Sequence, residues 1–157
     1  MNSGASAHVR QRRRAPIEVN VQGIVVSGKG EAAGFTELPW AARQFEERLG
    51  FRPSPGTLNV QLIEESERTL WREVGRWRGF PIEPPGSTGC AATCYPAVVS
   101  SLKSQGERLA FVIVPHVRGY PEDQVELLAD QHLRSVLDLI DGDAVEVRIC
   151  GFGIASS

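Results

Sequence analysis

The chain has 157 residues, enough for one domain with a sizeable core and too few for two ordinary ones. Apolar residues make up 41% and charged residues 23%, the balance of a folded globular chain, which argues against disorder throughout. Seventeen Lys plus Arg against nineteen Asp plus Glu leave a formal charge of -2, so the overall basicity of a phosphate-driven nucleic-acid binder is lacking, and runs such as FVIV at 111–114 fall far short of a membrane span.

Residues 1–17 carry small polar side chains and four arginines with no apolar period, which predicts a solvated, disordered tail. No apolar segment follows those arginines, so a cytoplasmic location is the default expectation. From Ile17 to Ser27 apolar and polar residues alternate, giving a first strand that runs into the glycine-bearing loop GKGEAAGF. Pro39 then opens a helix to about Leu49, with Leu38, Ala42, Phe45 and Leu49 at helical spacing and Gly50 placed to end it. RPSPGTLNVQL reads as a strand leaving a Pro/Gly turn, with Leu58, Val60 and Leu62 on one face and Thr57, Asn59 and Gln61 on the other.

The stretch 67–90 offers Trp71, Val74 and Trp77 for packing while Arg and Glu face water, and its Pro/Gly cluster makes a loop. Residues 94–114 predict a hairpin turning at Lys103 to Glu107, its second arm central in a sheet. Then follow a strand around QVELL, a short helix that Asp130 is placed to N-cap, and a last strand entered through the turn signal Asp141-Gly142. Mostly short strands with two short helices predict a mainly β fold closed into a small barrel, since closure removes exposed edges. Cys90, Cys94 and Cys150 lack zinc spacing and read as reduced structural thiols.

The glycines of GKGEAAGF permit positive φ and bring N–H groups close to an anion, though an ordinary loop has the same composition. Thr57 and Asn59, two apart on a strand, point their oxygens to one face, where they could ligand a hard cation or merely satisfy local hydrogen bonds. Glu126, between Val125 and Leu127, projects to the face opposite theirs and could contact a ligand or water. Gln131, His132, Leu133 and Arg134 open the short helix, where free N–H groups favour an anion. No Ser or Cys nucleophile arrangement surrounds His8 or His116, and the Asp141/Asp143 pair reads as a hairpin turn.

In this order, G-x-V-x-S-G-x-G-E at 23–31, Phe35, QFEERLGFRPSPGTLNV at 44–60, Val-Pro at 114–115 and ELLADQHLRSVLDLIDGDAVEV at 126–147 resemble the CTP-dependent riboflavin kinases. The resemblance implies a closed six-stranded β-barrel of the cradle-loop type over 18–150, with tails at 1–17 and 151–157, that moves the γ-phosphate of CTP to the 5′-hydroxyl of riboflavin, giving FMN and CDP. It further implies that Thr57 and Asn59 hold Mg²⁺ at the phosphates as the catalytic pair. Lys29, Gly30, Glu31, Ala32, Ala33 and Gly34, with Gln131, His132, Leu133 and Arg134, would bind the nucleotide, and Arg118 and Glu126 the flavin. Two positions depart from the family pattern: Ala32 replaces a glycine and Arg118 a threonine. They motivate an alternative in which the same barrel uses another acceptor or only binds flavin and nucleotide. A remoter alternative is a swapped-hairpin DNA-binding barrel, suggested by LRSVLDLIDGDAVEV and the RQRRR run but opposed by the acidic balance. Neither a membrane nor a nucleic-acid partner is expected, and the oligomeric state is not legible.

Overall fold

The computed structural model describes residues 16–28, 32–86 and 89–152. The Arg-rich segment 1–15 and the loop residues Lys29, Gly30 and Glu31 lie outside the described residues. Among the described residues there are seven strands: β1 Pro16–Val26, β2 Leu58–Gln61, β3 Phe80–Ile82, β4 Ala92–Ser101, β5 Glu107–Pro115, β6 Gln124–Leu128 and β7 Ala144–Phe152. The helices are α1 Pro39–Gln44, α2 Glu65–Val74 and α3 Leu133–Val136, with a 3₁₀ turn at Ala33–Glu37 and a π turn at Phe45–Leu49. No helix among the described residues is long and apolar enough to cross a membrane.

All pairings are antiparallel and run β4-β5-β6-β2-β1-β7, then back to β4, so the sheet forms a ring. β3 is the strand beyond the expected six. It pairs Phe80 with Cys94 and Ile82 with Ala92, on the edge of β4 that β7 occupies from Ala97 onward. Pro81 and the neighbouring prolines hide it in the sequence, yet an edge position tolerates a residue that cannot donate to a ladder. The β1–β7 ladder reaches Pro16 and Phe152, further out than the alternating pattern.

Period-two alternation separates two cores. Val21, Val25, Leu58, Val60, Val99, Val112, Val125, Leu127, Val147 and Ile149 fill the ring, with Trp71, Val74 and Trp77 of the α2 region packed against them. On the other face of β4 to β6, Ile113, Leu128 and Cys94 are covered by Ala32, Phe35, Ala41 and Phe45, from the 3₁₀ turn through the π turn. Burial raises the Cys94 thiol pKa, and all three cysteines are free.

Three helices replace the expected two. α2 carries Trp71 and Val74 on one buried face, but its N-cap position is Glu64, whose side chain makes no capping bond, so the usual start signal is missing. Asp130 does not cap α3; His132 occupies that position, and Ser135 N–H and Val136 N–H donate to its carbonyl. Pro39 at the start of α1 and left-handed Gly50 (φ 84°) after the π turn agree with the expected helix limits. Gly23 is required by close approach: a Cβ there would lie 2.4 Å from the Gln61 carbonyl oxygen.

Candidate functional site

β2 lies between β1 and β6. Leu58 and Val60 point into the ring, which sends Asn59 to the other face, opposite Glu126 on β6 and Val26 on β1. Thr57 immediately precedes β2 and shares that face. The Cα atoms of Thr57 and Asn59 stand roughly 7 Å apart along the strand, with both oxygen-bearing side chains on one face. Asn59 Oδ1 accepts from Gln124 Nε2 at 2.9 Å, and Asn59 Nδ2 donates to the Gly28 carbonyl at 3.5 Å, so the ladder and the end of β1 orient the amide.

Glu126 shares the Asn59 face, as Val125 and Leu127 turn into the ring, but it is neither solvated nor open to a ligand: its relative exposure is 0%. The segment beginning at Ala32 covers it. Ala32 N–H donates to both carboxylate oxygens (3.2 and 3.1 Å), Thr57 Oγ1 to Oε1 (2.8 Å) and Tyr120 Oη to Oε2 (2.7 Å). Neutral donors from three separate segments thus satisfy one buried carboxylate, the condition under which its burial is tolerable.

Ala32 is the buried N-cap of the 3₁₀ turn that half-buried Ala33 and exposed Gly34 begin, and the Ala32 amide is engaged by Glu126. Thr36 Oγ1 donates to the Ala33 carbonyl and accepts from Gly56 N–H at 2.9 Å, tying this segment to the turn before Thr57. Gln131, His132, Leu133 and Arg134 come together with Ser54 to Leu58 around one hollow, so these four residues and Thr57 share a wall, which Ala32, Ala33 and Gly34 do not line. Arg134 Nη2 donates to Asp141 Oδ1 (2.5 Å), Ser27 Oγ (3.3 Å) and the Val26 carbonyl (3.3 Å), which fixes one edge of its guanidinium. Those hydrogen bonds from Arg134 and Ser27 lower the Asp141 carboxyl pKa below its usual range. Arg118 is not brought to Glu126: it sits exposed on a turn closed by Tyr120 N–H to the Val117 carbonyl, with Gly119 at φ 81°.

A second hollow of about 220 Å³ lies on the other side of β2, lined by Val26 to Gly28, Asn59, Gln61, Pro121, Asp123 and Gln124. Tyr120 and Gln124 escaped the sequence reading, and Asp141 was read only as a turn residue. Gln124 was accessible, being two residues from Glu126 on one strand, whereas the contacts of Tyr120 with Glu126 and of Asp141 with Arg134 join separate segments and carry no local signal. Among the described residues no group of three or more His, Cys, Asp or Glu side chains is arranged for a metal. Thr57 Oγ1 and Asn59 Oδ1 are instead a pair of hard neutral oxygens, a donor set that suits Mg²⁺ when phosphates and water supply its other ligands.

A family model, CTP-dep_RFKase, with the description "Domain of unknown function DUF120", matches residues 25–149. The riboflavin kinase of Haloquadratum walsbyi is 39% identical over 134 residues, 83% of this chain and 56% of that protein. That of Methanosarcina barkeri is 39% identical over 133 residues, again 83% of this chain and 56% of the relative. The riboflavin kinase of Methanopyrus kandleri is 36% identical over 129 residues, 82% of each chain. The chain thus spans little more than half the length of the first two relatives.

Proposed function

The chain belongs to the family of CTP-dependent riboflavin kinases, and we propose that it transfers the γ-phosphate of CTP to the 5′-hydroxyl of riboflavin, releasing FMN and CDP. The observation that carries this reading is the placement of Thr57 and Asn59 side by side between two hollows, one of them walled by Arg134. The ring of pairings supports reading the fold as the six-stranded cradle-loop barrel, with β3 added at its edge.

Phosphoryl transfer asks a protein mainly to position donor and acceptor and to stabilise phosphate charge. CTP lies in the hollow of Gln131 to Arg134, where the free edge of the Arg134 guanidinium meets phosphate oxygens, its other edge being held by Asp141. Thr57 and Asn59 would hold Mg²⁺, which would supply charge neutralisation at the phosphates. Thr57 keeps its lone pairs for this role because its proton is donated to Glu126. The acceptor oxygen forms the new P–O bond and releases its proton to water as the β,γ P–O bond breaks, CDP leaving with the electron pair. Glu126 acts from beneath the site, holding Thr57, Ala32 and the loop of Tyr120.

A second reading keeps the barrel and changes the acceptor; the exposed position of Arg118, away from Glu126, favours it. Incubating the protein with riboflavin and Mg²⁺, with CTP or ATP in parallel, separates the two. FMN formed preferentially from CTP is the expected result, and no FMN from either nucleotide, in folded protein, overturns the first reading.

A further inference from the structure

We propose that Gln124 is a positioning residue for the metal site: its side-chain N–H aims the Asn59 carbonyl, as Glu126 aims the Thr57 hydroxyl, so that β6 orients both oxygens carried at β2. This inference rests on the kinase reading and adds a residue that acts through Asn59.

β2 and β6 pair antiparallel, with Asn59 opposite Glu126 and Gln61 opposite Gln124. The side-chain bonds run diagonally instead of straight across. Glu126 reaches Thr57, two residues before its direct partner, and Gln124 reaches Asn59, two residues before its own. Diagonal neighbours on one face lie roughly 7–8 Å apart, a span that Glu and Gln side chains cover. Each bond has the polarity of the group it holds. Thr57 has a proton to give and meets a carboxylate, which accepts; Asn59 Oδ1 has none and meets an amide N–H, which donates. A carbonyl oxygen has two lone pairs, and Gln124 takes one, leaving the other for a cation.

Asn59 depends on such a partner more than Thr57 does. The two ends of an asparagine amide have similar shape and opposite polarity, and rotation about χ2 exchanges them within a broad twofold well. The wrong end presents N–H groups to a cation. The Gly28 carbonyl accepts from Asn59 Nδ2 at 3.5 Å, a long bond that holds the amide weakly. Because that carbonyl can only accept, the Asn59 oxygen faces Gln124, whose Nε2 donates at 2.9 Å. The shorter bond carries most of the orientation, and it lies where both side chains are partly shielded from water. Glu126 cannot replace it. Its oxygens are taken by Ala32, Thr57 and Tyr120, and a carboxylate facing Asn59 would draw the N–H end of the amide.

The test measures binding of β,γ-methylene-CTP, which is not hydrolysed, to the full chain by calorimetry, with Mg²⁺ present and with it chelated. The wild type should bind the analogue more tightly with Mg²⁺. Gln124→Met keeps the length and loses the N–H. It should reduce that tightening about fivefold, the worth of one hydrogen bond, and leave the metal-free affinity unchanged. Gln61→Met, on the same face but bonded to Asp123, should keep the wild-type tightening. Adding Gln124→Met to Asn59→Ala should change the tightening no further than Asn59→Ala alone, since the two residues act as one unit. Thermal melts establish that each variant folds. Wild-type tightening in Gln124→Met, equal loss in Gln61→Met, or a further loss in the double variant overturns the inference and leaves the kinase reading intact. No tightening in the wild type, with no FMN formed from CTP, overturns the kinase reading and this inference with it.

Discussion

Thr57 Oγ1 lies 2.8 Å from Glu126 Oε1, and the proton it donates leaves the threonine lone pairs directed away from the carboxylate. One buried side chain therefore aims the proposed metal ligand while also holding Ala32 at the start of the 3₁₀ turn and Tyr120 on the turn after β5. The site is organised from beneath, by neutral donors converging on a single acidic group.

Glu126→Ala removes the acceptor for three donors, the buried Ala32 N–H and the part-buried hydroxyls of Thr57 and Tyr120, and leaves a cavity. Stability should fall by roughly 3–5 kcal/mol, read as a lower urea midpoint. Glu126→Gln keeps the volume but turns an N–H toward donors, and should cost roughly 1–3 kcal/mol. An unchanged midpoint in Glu126→Ala would contradict the hub described here.

Thr57→Ala and Asn59→Ala should each lower FMN formation by about 100-fold at saturating CTP and raise the Mg²⁺ concentration needed for half-maximal rate. Thr57→Ser keeps the hydroxyl and should stay within about tenfold of wild type. Titrating Mg²⁺ in all three distinguishes a lost ligand from a damaged fold.

Asp141→Asn loosens Arg134 without touching Thr57 or Asn59, so KM for CTP should rise about threefold to tenfold while KM for riboflavin holds. Hydrogen bonds from Arg134 and Ser27 depress the Asp141 carboxyl pKa, and a depressed carboxyl contributes above its unfolded value and is lost as pH falls through the lowered one. In the wild type this contribution is flat from about pH 6 to 8 and fades only below about pH 4. Initial rates at varied CTP across pH check both statements.

Gly23→Ala places a methyl 2.4 Å from the Gln61 carbonyl oxygen and 2.7 Å from Val60 Cγ1. β1 must move off β2, the strand that carries Asn59. A loss of roughly 2–4 kcal/mol is expected by calorimetry, with KM for Mg²⁺ raised in protein that remains folded.

Local sequence carried much of this. Alternation placed Leu58 and Val60 inward and Asn59 outward, and Pro39 with Gly50 bounded the first helical segment, because these features depend on neighbours in the chain. β3 was hidden by Pro81, and α2 by a start without a cap. The burial of Glu126 depends on cover from Ala32, 94 residues earlier, and no periodicity reports such cover. Asp143 shows the same limit from the other side. It helps form the turn, accepting from Ile140 N–H, and it also pairs with Lys103, 40 residues away.

The most direct measurement follows label from γ-³²P-CTP into flavin, comparing wild type with Asn59→Ala, with Mg²⁺ present and with it chelated. Label should enter FMN in the wild type, vanish on chelation and fall by about 100-fold in Asn59→Ala. Undiminished transfer by Asn59→Ala, or label recovered only as inorganic phosphate from the wild type, would contradict the central claim.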